Sequence, residues 1–240
     1  MVHGLSTANS GEPDFTIALE QHAMYVEILV ECGLNVTVLD GDGRYPDSTF
    51  VEDVAVCTSQ CAVITNPGAV SRNGEKDGMR EILREFYDRL EEIQSPGTLD
   101  GGDVMMVGTH FYIGISERTN RDGAGQLIKI LRKYNMTGSM ITLKKMLHLK
   151  TGISYLDRNN LLIGGEFLDY TEFKRFNRIV VDETEGYAAN SLWINGKVLV
   201  PVGHPATKEK IEEAGYTTID VNVSEYRKLD GGLSCLSLRF

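Results

Sequence analysis

Cys235 is the residue whose surroundings in the sequence are best suited to chemistry. It follows the pair Gly231-Gly232, and the short alternating run after it predicts a strand. A thiol at such a junction would be fixed by a rigid element, while the glycines let a substrate approach closely. The alternative is a structural cysteine, because free cysteine is among the most buried residue types. The local sequence leaves both interpretations open.

A histidine, several carboxylates and two arginines elsewhere in the chain complete a set suited to nucleophilic catalysis by a thiol. Each member also has a structural alternative. His148 lies between two leucines, as a core histidine would, and Arg118 could close a surface salt bridge. Asp47 and Asp100 could be turn residues. The set favours catalysis only if the fold brings its members together.

Polar residues recur at the predicted starts of strands, about 42 to 50 positions apart. They are Asp53, Asp103, His148, Asn190 and Cys235. Such a period predicts supersecondary units that pack on their neighbours, either in a linear array or around an axis. The alternation of strands and helices excludes an all-β blade. Only a radial arrangement would bring the strand starts together in one mouth.

The units themselves are predicted from hydrophobic period and turn signals. Helices are predicted over 15–32, with Asp14 as N-cap and Gly33 at the end, and over about 76–92, 120–134 and 206–214. Hairpins are predicted over 54–65, over 104–115, around 157–160 and at Asn195-Gly196. Single strands are predicted over 34–39 and 216–221, and residues 1–13 are expected to form a loop.

Composition limits the class of partner. A net charge of −10 with a pI near 5.0 argues against nucleic acid and against an anionic membrane surface. No run approaches the roughly 18 apolar residues of a membrane helix, and residues 1–20 lack the pattern of a signal peptide. The four cysteines have neither zinc-site spacing nor the density of a disulfide framework. We therefore expect a cytoplasmic protein without nucleic-acid or membrane partners.

Seven motifs occur in a fixed order along the chain. They are Gly-Leu-Ser-Thr (4–7), Pro-Asp-Ser-Thr-Phe-Val-Glu-Asp (46–53), Pro-Gly-Ala-Val-Ser-Arg (67–72), Leu-Asp-Gly-Gly-Asp (99–103), Ile-Ser-Glu-Arg-Thr-Asn (115–120), Leu-His-Leu-Lys-Thr (147–151) and Gly-Gly-Leu-Ser-Cys (231–235). The series closely resembles the dimethylarginine dimethylaminohydrolases, particularly the bacterial form, within the guanidino-group-modifying superfamily that includes the arginine deiminases. The resemblance spans essentially the whole chain, so the ordered series is far more specific than any single motif.

The resemblance implies both a fold and an activity. The fold class is α/β, a five-bladed α/β propeller of ββαβ-type pseudo-repeats around a central active-site mouth, with residues 1–240 as a single catalytic domain. The activity is hydrolysis of free Nω-methylated arginines, asymmetric dimethylarginine and monomethylarginine, to citrulline plus dimethylamine or methylamine. The resemblance implies no metal and no cofactor, and it leaves a homodimer open.

The family's catalytic roles fall on residues of this sequence that match its motifs. Cys235 would attack the guanidinium carbon and form a covalent thiouronium intermediate. His148 would protonate the departing amine and then activate water, while Asp100 would orient the ring and favour its charged form. Asp53 would bind the guanidinium through charge-assisted hydrogen bonds. Glu52 is the less favoured partner, because adjacent strand residues point to opposite faces.

The same resemblance assigns the residues that would bind the amino-acid end of the substrate. Arg72 and Arg118 would clamp the α-carboxylate, which suits their planar donor groups. Asp47 would bind the α-ammonium beside the backbone carbonyl of Leu5, and the loop around Leu5 would cover the site. These contacts imply free amino acids rather than arginine within a peptide.

The sequence departs from the family pattern in two places and leaves two rival functions. The family usually has a strand and a short loop before Gly-Leu-Ser-Thr, so a first strand is expected to be missing here. Asp100 stands where the nearest bacterial relatives carry glutamate. An arginine deiminase that releases ammonia would share the catalytic set. A non-enzymatic propeller, as in ribosome anti-association factors, would lack the Cys–His pair that Cys235 and His148 supply.

Overall fold

The computed structural model describes residues 1–7 and 10–240, and it divides into two compact units. The first unit comprises Met1–Thr49 and Gly152–Leu233, and the second comprises Phe50–Thr151 and Ser234–Phe240. Two residues of the loop expected at 1–13, Ala8 and Asn9, lie outside the described residues. In the described part of the chain, no helix combines the length and the apolar character needed to cross a membrane.

Helices and strands alternate along most of the described chain. The helices are α1 (Phe15–Glu31), α2 (Glu75–Leu83), α3 (Arg121–Lys133), α4 (Pro205–Glu213) and α5 (Ser224–Arg227). The strands are β1 (Ala55–Cys57), β2 (Ala62–Ile64), β3 (Leu90–Glu92), β4 (Val104–Val107), β5 (His110–Ile115), β6 (Thr137–Thr142), β7 (Ile153–Asp157), β8 (Asn160–Ile163), β9 (Asn177–Val180), β10 (Leu192–Ile194), β11 (Lys197–Pro201) and β12 (Thr217–Val221).

The strands form four three-stranded sheets within the described residues, and all four sheets are built in the same way. Two consecutive strands pair as an antiparallel hairpin, and the third strand then pairs in parallel with the second. A parallel return needs a crossover, which α2, α3 and α4 supply in three of the sheets. Short 3-10 turns supply it between β8 and β9. The predicted ββαβ-type repeat and the four predicted hairpins are therefore confirmed.

The two repeats of the second unit, β1–β3 and β4–β6, share an apolar core that α3 helps to build. Leu127, Ile130 and Leu131 lie on the buried face of α3, at the spacing of one helical face. They belong to the same buried cluster as Val63 of β2 and Phe111 of β5. Packing of this kind fixes the strands, and with them the turns at the strand ends that carry the polar motifs.

The first unit contains α1 and the repeats β7–β9 and β10–β12. The predicted N-cap of α1 is confirmed, because the Asp14 side chain accepts hydrogen bonds from the amides of Thr16 and Ile17. The helix buries Tyr25, whose hydroxyl donates to the carbonyl of Leu233 at 2.9 Å. This bond ties α1 to Leu233, inside the Gly-Gly-Leu-Ser-Cys motif.

A 3-10 turn precedes the hairpin of every sheet in the described residues. The four turns are Val51–Val54, Gly101–Asp103, Leu149–Thr151 and Glu183–Ala189. The polar residues that the sequence places at strand starts therefore lie in such a turn or directly beside it. Because these residues lie in or beside a turn, the side-chain alternation of a strand does not apply to them.

Three predictions of secondary structure are wrong. Residues 34–39 alternate as a strand would, but they pair with no strand in the described chain, and alternation alone does not supply a partner. The helix predicted to about 92 ends at Leu83, and Leu90 begins β3 instead. Cys235 is not at the head of a strand, because Ser234–Leu236 is a 3-10 turn and 237–240 has no regular structure.

Candidate active site

Cys235 lies where two 3-10 turns of the second unit pack together. The turn Ser234–Leu236 contacts the turn Val51–Val54, which carries Glu52. The hydroxyl of Ser234 donates to Glu52 Oε2 at 2.7 Å, and this hydrogen bond joins the two turns. Cys235 itself is half-buried, and none of the four cysteines, all of which lie in the described residues, forms a disulfide. A thiol is thus held beside a turn rich in carboxylates.

Asp53, Asp100 and His148 form one cluster in the same unit. One side-chain nitrogen or oxygen atom from each lies within 4.8 Å of the others. His148 Nε2 is 3.2 Å from Asp100 Oδ2, so the protonated ring donates to that carboxylate. Asp53 Oδ1 accepts a hydrogen bond from the amide of Gly102 at 3.0 Å. The sequence-predicted pair of His148 and Asp100 is therefore in contact.

The two glycines between Asp100 and Asp103 are needed because other groups approach the backbone there. A Cβ on Gly101 would collide with the backbone carbonyl oxygen of Glu52. A Cβ on Gly102 would lie 2.9 Å from Asp53 Oδ1, closer than real Cβ contacts come, and 3.0 Å from His148 Cγ, at the tight end of such contacts. The Asp-Gly-Gly-Asp motif is therefore what allows the cluster to close.

The electrostatics of the cluster favour a charged histidine. Burial lowers the pKa of His148, but the charge of Asp53, the hydrogen bond to Asp100 and the charge of Asp103 outweigh it and raise the pKa to about 9. Burial raises the pKa of Asp53, whereas His148, Arg72 and the amide of Gly102 lower it, and the net direction is down. His148 is thus a cation at neutral pH, although its side chain is only 14% exposed.

Asp103 is a buried acid of the cluster that the sequence did not assign to the site. It is fully buried and accepts hydrogen bonds from the hydroxyl of Ser116 at 2.6 Å and from the amide of Leu149 at 2.9 Å. Burial raises its pKa to about 6, against the lowering effect of His148 and of these hydrogen bonds. Because Leu149 follows His148, Asp103 also fixes the backbone of the histidine. Its place in the Leu-Asp-Gly-Gly-Asp motif was the available signal.

Arg72 does not have the environment expected of a carboxylate clamp. Its side chain is 6% exposed, and its guanidinium donates to Asp53 at 2.6 Å, to Glu75 at 2.7 Å and to the carbonyl of Phe50 at 3.0 Å. The two carboxylates raise its pKa despite burial. These contacts make Arg72 a partner of Asp53, and they compete with any substrate carboxylate.

Arg118 has a different environment. Its backbone amide donates to Ser116 Oγ at 3.0 Å, so the same hydroxyl that bonds to Asp103 also holds the Arg118 backbone. Its side chain is half-buried and forms no salt bridge within the described residues. A planar donor group without an acidic partner is well suited to bind a carboxylate.

Glu52 is also not placed as the sequence suggested. Its side chain is 4% exposed, and its carboxylate accepts from Lys150 Nζ at 2.5 Å, from Arg239 Nη2 at 3.0 Å and from Ser234 Oγ at 2.7 Å. It lies in a 3-10 turn, so the argument from strand alternation does not apply. Two cations of the protein already bond to this carboxylate, which disfavours a guanidinium as a further cationic partner.

Leu5 and Asp47 belong to the first unit, and there they are in contact. The amide of Leu5 donates to Asp47 Oδ1 at 2.9 Å. Asp47 is buried, whereas Leu5 is 42% exposed. The Gly-Leu-Ser-Thr motif is thus held by a carboxylate, and the binding of an α-ammonium by Asp47 stays a prediction. The covering role expected for this loop stays a prediction.

The cluster of Asp53, Asp100 and His148 is also the group of acids and histidines in the described chain with a spacing suited to a metal ion. Its acceptor atoms, however, already have cationic or amide partners. Asp53 bonds to Arg72 and to Gly102, and Asp100 bonds to His148 and to the amide of Gly68. A metal would have to displace these partners, so the arrangement suits hydrogen-bonded chemistry better.

Comparisons with known proteins agree with this geometry. The family model of arginine deiminase matches residues 50–183. A Pseudomonas aeruginosa protein named N(G),N(G)-dimethylarginine dimethylaminohydrolase is 53% identical over 100% of this chain and 95% of its own length. A Streptomyces coelicolor protein of the same name is 34% identical over 94% of this chain and 87% of its own.

Solved structures of other proteins superpose closely on this chain. The Pseudomonas aeruginosa enzyme, as a cysteine-to-serine mutant complexed with citrulline, superposes with a TM-score of 0.98 at 52% identity, covering 100% of this chain and 94% of that one. The N-terminal domain of a cyanobacterial arginine dihydrolase superposes at 0.89 with 20% identity, covering 98% and 92%. The second match concerns the fold alone. The predicted fold class, an α/β propeller of ββαβ-type repeats, is confirmed.

Proposed function

The chain belongs to the dimethylarginine dimethylaminohydrolase family, and from this premise we propose that it hydrolyses free Nω-methylated arginines. Asymmetric dimethylarginine gives citrulline and dimethylamine, and monomethylarginine gives citrulline and methylamine. The protein is therefore an enzyme, a hydrolase acting on the C–N bonds of a linear amidine. The observation that carries the proposal is the position of Cys235. The turn that carries its thiol packs against the turn of Asp53, and Asp53 forms one cluster with His148 and Asp100.

In the first half-reaction, the protonated His148 acts as the acid. The thiolate of Cys235 attacks the guanidinium carbon, and the resulting tetrahedral adduct must expel a methylated amine. His148 is protonated at neutral pH and donates its proton to the departing nitrogen. The C–N bond breaks, the amine leaves, and a thiouronium joins the substrate carbon to the sulfur. Asp53 hydrogen-bonds to the guanidinium and keeps its carbon over the thiol.

The second half-reaction reverses the role of the histidine. His148, neutral after the first step, takes a proton from water, and the hydroxide attacks the thiouronium carbon. The C–S bond then breaks and the thiolate of Cys235 is restored, while the product loses its hydroxyl proton to solvent and leaves as citrulline. Asp100 holds the ring through Nε2 during both steps, so the other nitrogen, Nδ1, is the atom that exchanges protons.

The amino-acid end of the substrate is bound by the remaining expected residues. Arg118 supplies the main contact to the α-carboxylate, because its side chain has no salt-bridge partner in the described chain, whereas Arg72 acts chiefly by holding Asp53. Asp47 binds the α-ammonium with the backbone carbonyl of Leu5 beside it. Recognition of both charged groups would restrict the enzyme to free amino acids.

Arginine deiminase activity is the second candidate, because the arginine deiminase family model covers residues 50–183. The two activities differ in the group that leaves, ammonia or a methylated amine. Full-length similarity to two dimethylarginine dimethylaminohydrolases favours the methylated substrate. The test is one assay of dimethylarginine against arginine in which citrulline, ammonia and dimethylamine are all quantified. A kcat/KM higher for arginine would overturn the proposal.

Self-association is the proposed state of the enzyme in solution. The helix α1 exposes apolar side chains along one side of its buried face, among them Phe15 at 53%, Leu19 at 55% and Val30 at 55%. A stripe of this kind is typical of an interface, and we propose a homodimer through it. Light scattering of the wild type and of Leu19→Lys tests this, with a monomeric wild type as the contrary result.

The remaining expectations concern the domain, its location and other partners. A single catalytic domain over residues 1–240, and the absence of nucleic-acid and membrane partners, stay predictions. A cytoplasmic location likewise stays a prediction.

A further inference from the structure

Arg239 lies four residues beyond Cys235 and returns to the turn that carries it. Its Nη1 donates to the carbonyl oxygen of Ser234 at 3.1 Å and to that of Ser237 at 2.7 Å. Its Nη2 donates to Glu52 Oε1 at 3.0 Å. One guanidinium therefore joins the backbone on both sides of Cys235 to the turn that precedes β1.

Glu52 connects this guanidinium to the rest of the second unit. It lies between Arg239 and Lys150, and it also accepts the hydroxyl of Ser234. With 4% of its side chain exposed, its charge is stabilised by these partners rather than by water. Removing one partner would leave a buried carboxylate poorly compensated, so the four groups are expected to act as a unit.

The residue after Arg239 is anchored as well. The ring of Phe240 lies against those of Phe86 and Tyr87, with centroids 5.4 and 5.1 Å apart. Phe86 and Tyr87 follow the helix α2 of the first repeat. The segment 237–240 thus has an ionic anchor and an aromatic one, although it contains no regular structure.

We propose that Glu52 and Arg239 are positioning residues that hold the Ser234–Leu236 turn in place and so set the sulfur of Cys235 against the turn of Asp53. In this proposal neither residue contacts the substrate. The inference rests on the proposed function, in which Cys235 is the nucleophile. A three-residue turn makes few backbone hydrogen bonds of its own, so its geometry depends on side chains that bond to its carbonyls. Small displacements of a nucleophile lower the rate steeply.

The test compares Arg239→Ala and Glu52→Gln with the wild type in steady-state kinetics and in backbone amide exchange followed by mass spectrometry. We expect kcat to fall at least about tenfold while KM changes less than about threefold, because the substrate contacts are intact. We expect the peptides covering 233–238 to exchange faster, because the turn has lost its anchor. Arg239→Lys keeps the charge and should recover part of kcat.

Arg84→Ala is the matched control, since Arg84 pairs with Glu81 on the exposed surface and should leave both measurements unchanged. If Arg239→Ala does not fold, Arg239→Lys and Glu52→Gln carry the test. A rise in KM with kcat unchanged would mean substrate contact and would overturn the inference, as would unchanged exchange in 233–238. A wild type inactive on methylarginines would contradict the proposed function, while the exchange data would still decide the role of Arg239.

Discussion

His148 is the residue on which both proton transfers of the proposed reaction depend. Three acids surround it, Asp53, Asp100 and Asp103, and their combined effect exceeds that of burial. One pKa unit corresponds to about 1.4 kcal/mol between the two protonation states, so a pKa near 9 leaves the ring charged throughout the neutral range. The cluster is therefore prepared for the acid step before substrate arrives.

Replacing Asp100 by asparagine should shift the alkaline limb of the kcat/KM profile to lower pH. The change removes a negative charge and a hydrogen-bond acceptor from the imidazolium, so the pKa of His148 falls towards its ordinary value. The asparagine oxygen can still accept the amide of Gly68, which limits structural damage. Asp42→Asn, in a surface ion pair with Arg44, is the control. An alkaline limb that stays in place would show that Asp100 does not set the charge of His148.

Replacing Arg118 by alanine should weaken binding of the α-carboxylate. Lost hydrogen bonds to a charged group cost about 1.5–3 kcal/mol, which corresponds to roughly 10- to 150-fold in kcat/KM. We expect the loss in both KM and kcat, because a long flexible substrate needs both ends fixed to align one carbon. Steady-state kinetics with methylarginine measure it, and exposed Arg121→Ala is the control.

The decarboxylated analogue methylagmatine separates carboxylate binding from a general disturbance of the site. It should be a poor substrate for the wild type and should be barely affected by Arg118→Ala. Turnover of methylagmatine as fast as that of methylarginine would rule out recognition of the α-carboxylate by this residue.

At the scale of elements, the helix α1 depends on the capping residue that begins it. Asp14→Ala removes the acceptor for the amides of Thr16 and Ile17 and should destabilise the fold by about 1 kcal/mol. For a chain of this size the melting temperature should fall by about 2–4 °C. Asp14→Ser retains a capping oxygen and should lose much less. Equal losses for the two variants in urea unfolding would mean that the cap contributes nothing.

Local signals in the sequence predicted those elements that local chemistry determines. The hairpin at Asn195-Gly196 is one, because both residues have positive φ, 48° and 86°, as the tight turn requires. The strand β3 was missed, because it is three residues long and exists only through its parallel pairing with β2. The strand predicted over residues 34–39 was wrong for the opposite reason. The segment has the alternation of a strand but no partner strand in the described chain.

The candidate site could be predicted only in part from the sequence. The pairing of His148 with Asp100 followed from the motifs, and it is present. The partners of Glu52 could not be predicted, because Lys150 and Arg239 are 98 and 187 positions away and their ion pairs depend on the packing of two turns. The salt bridge between Arg72 and Asp53 is likewise a property of the fold. Resemblance identifies the residue types, whereas packing decides which of them bond to each other.

At the scale of the whole molecule, the charged cluster should make stability depend on pH. His148 has a pKa of about 9 when folded and an ordinary value of 6.5, so the folded state holds an extra proton between these values. Its stabilising contribution is complete below about pH 6.5 and is lost as pH rises through 9. The shift corresponds to about 3.5 kcal/mol at most.

Urea unfolding at pH 6.5 and pH 9 measures this contribution. The free energy of unfolding should fall with pH in the wild type and should fall much less in His148→Gln, which cannot titrate. Parallel pH dependence in the two proteins would show that the cluster does not couple protonation to folding.

The central claim is that Cys235 is the nucleophile of a methylarginine hydrolase, and product analysis of the wild type and Cys235→Ser tests it most directly. Both proteins are incubated with asymmetric dimethylarginine, with Cys57→Ser as the matched control. The wild type and Cys57→Ser should release citrulline and dimethylamine in equal amounts, and Cys235→Ser should release neither, because its hydroxyl cannot replace the thiolate. More than a few per cent of wild-type turnover in a folded Cys235→Ser protein would contradict the claim.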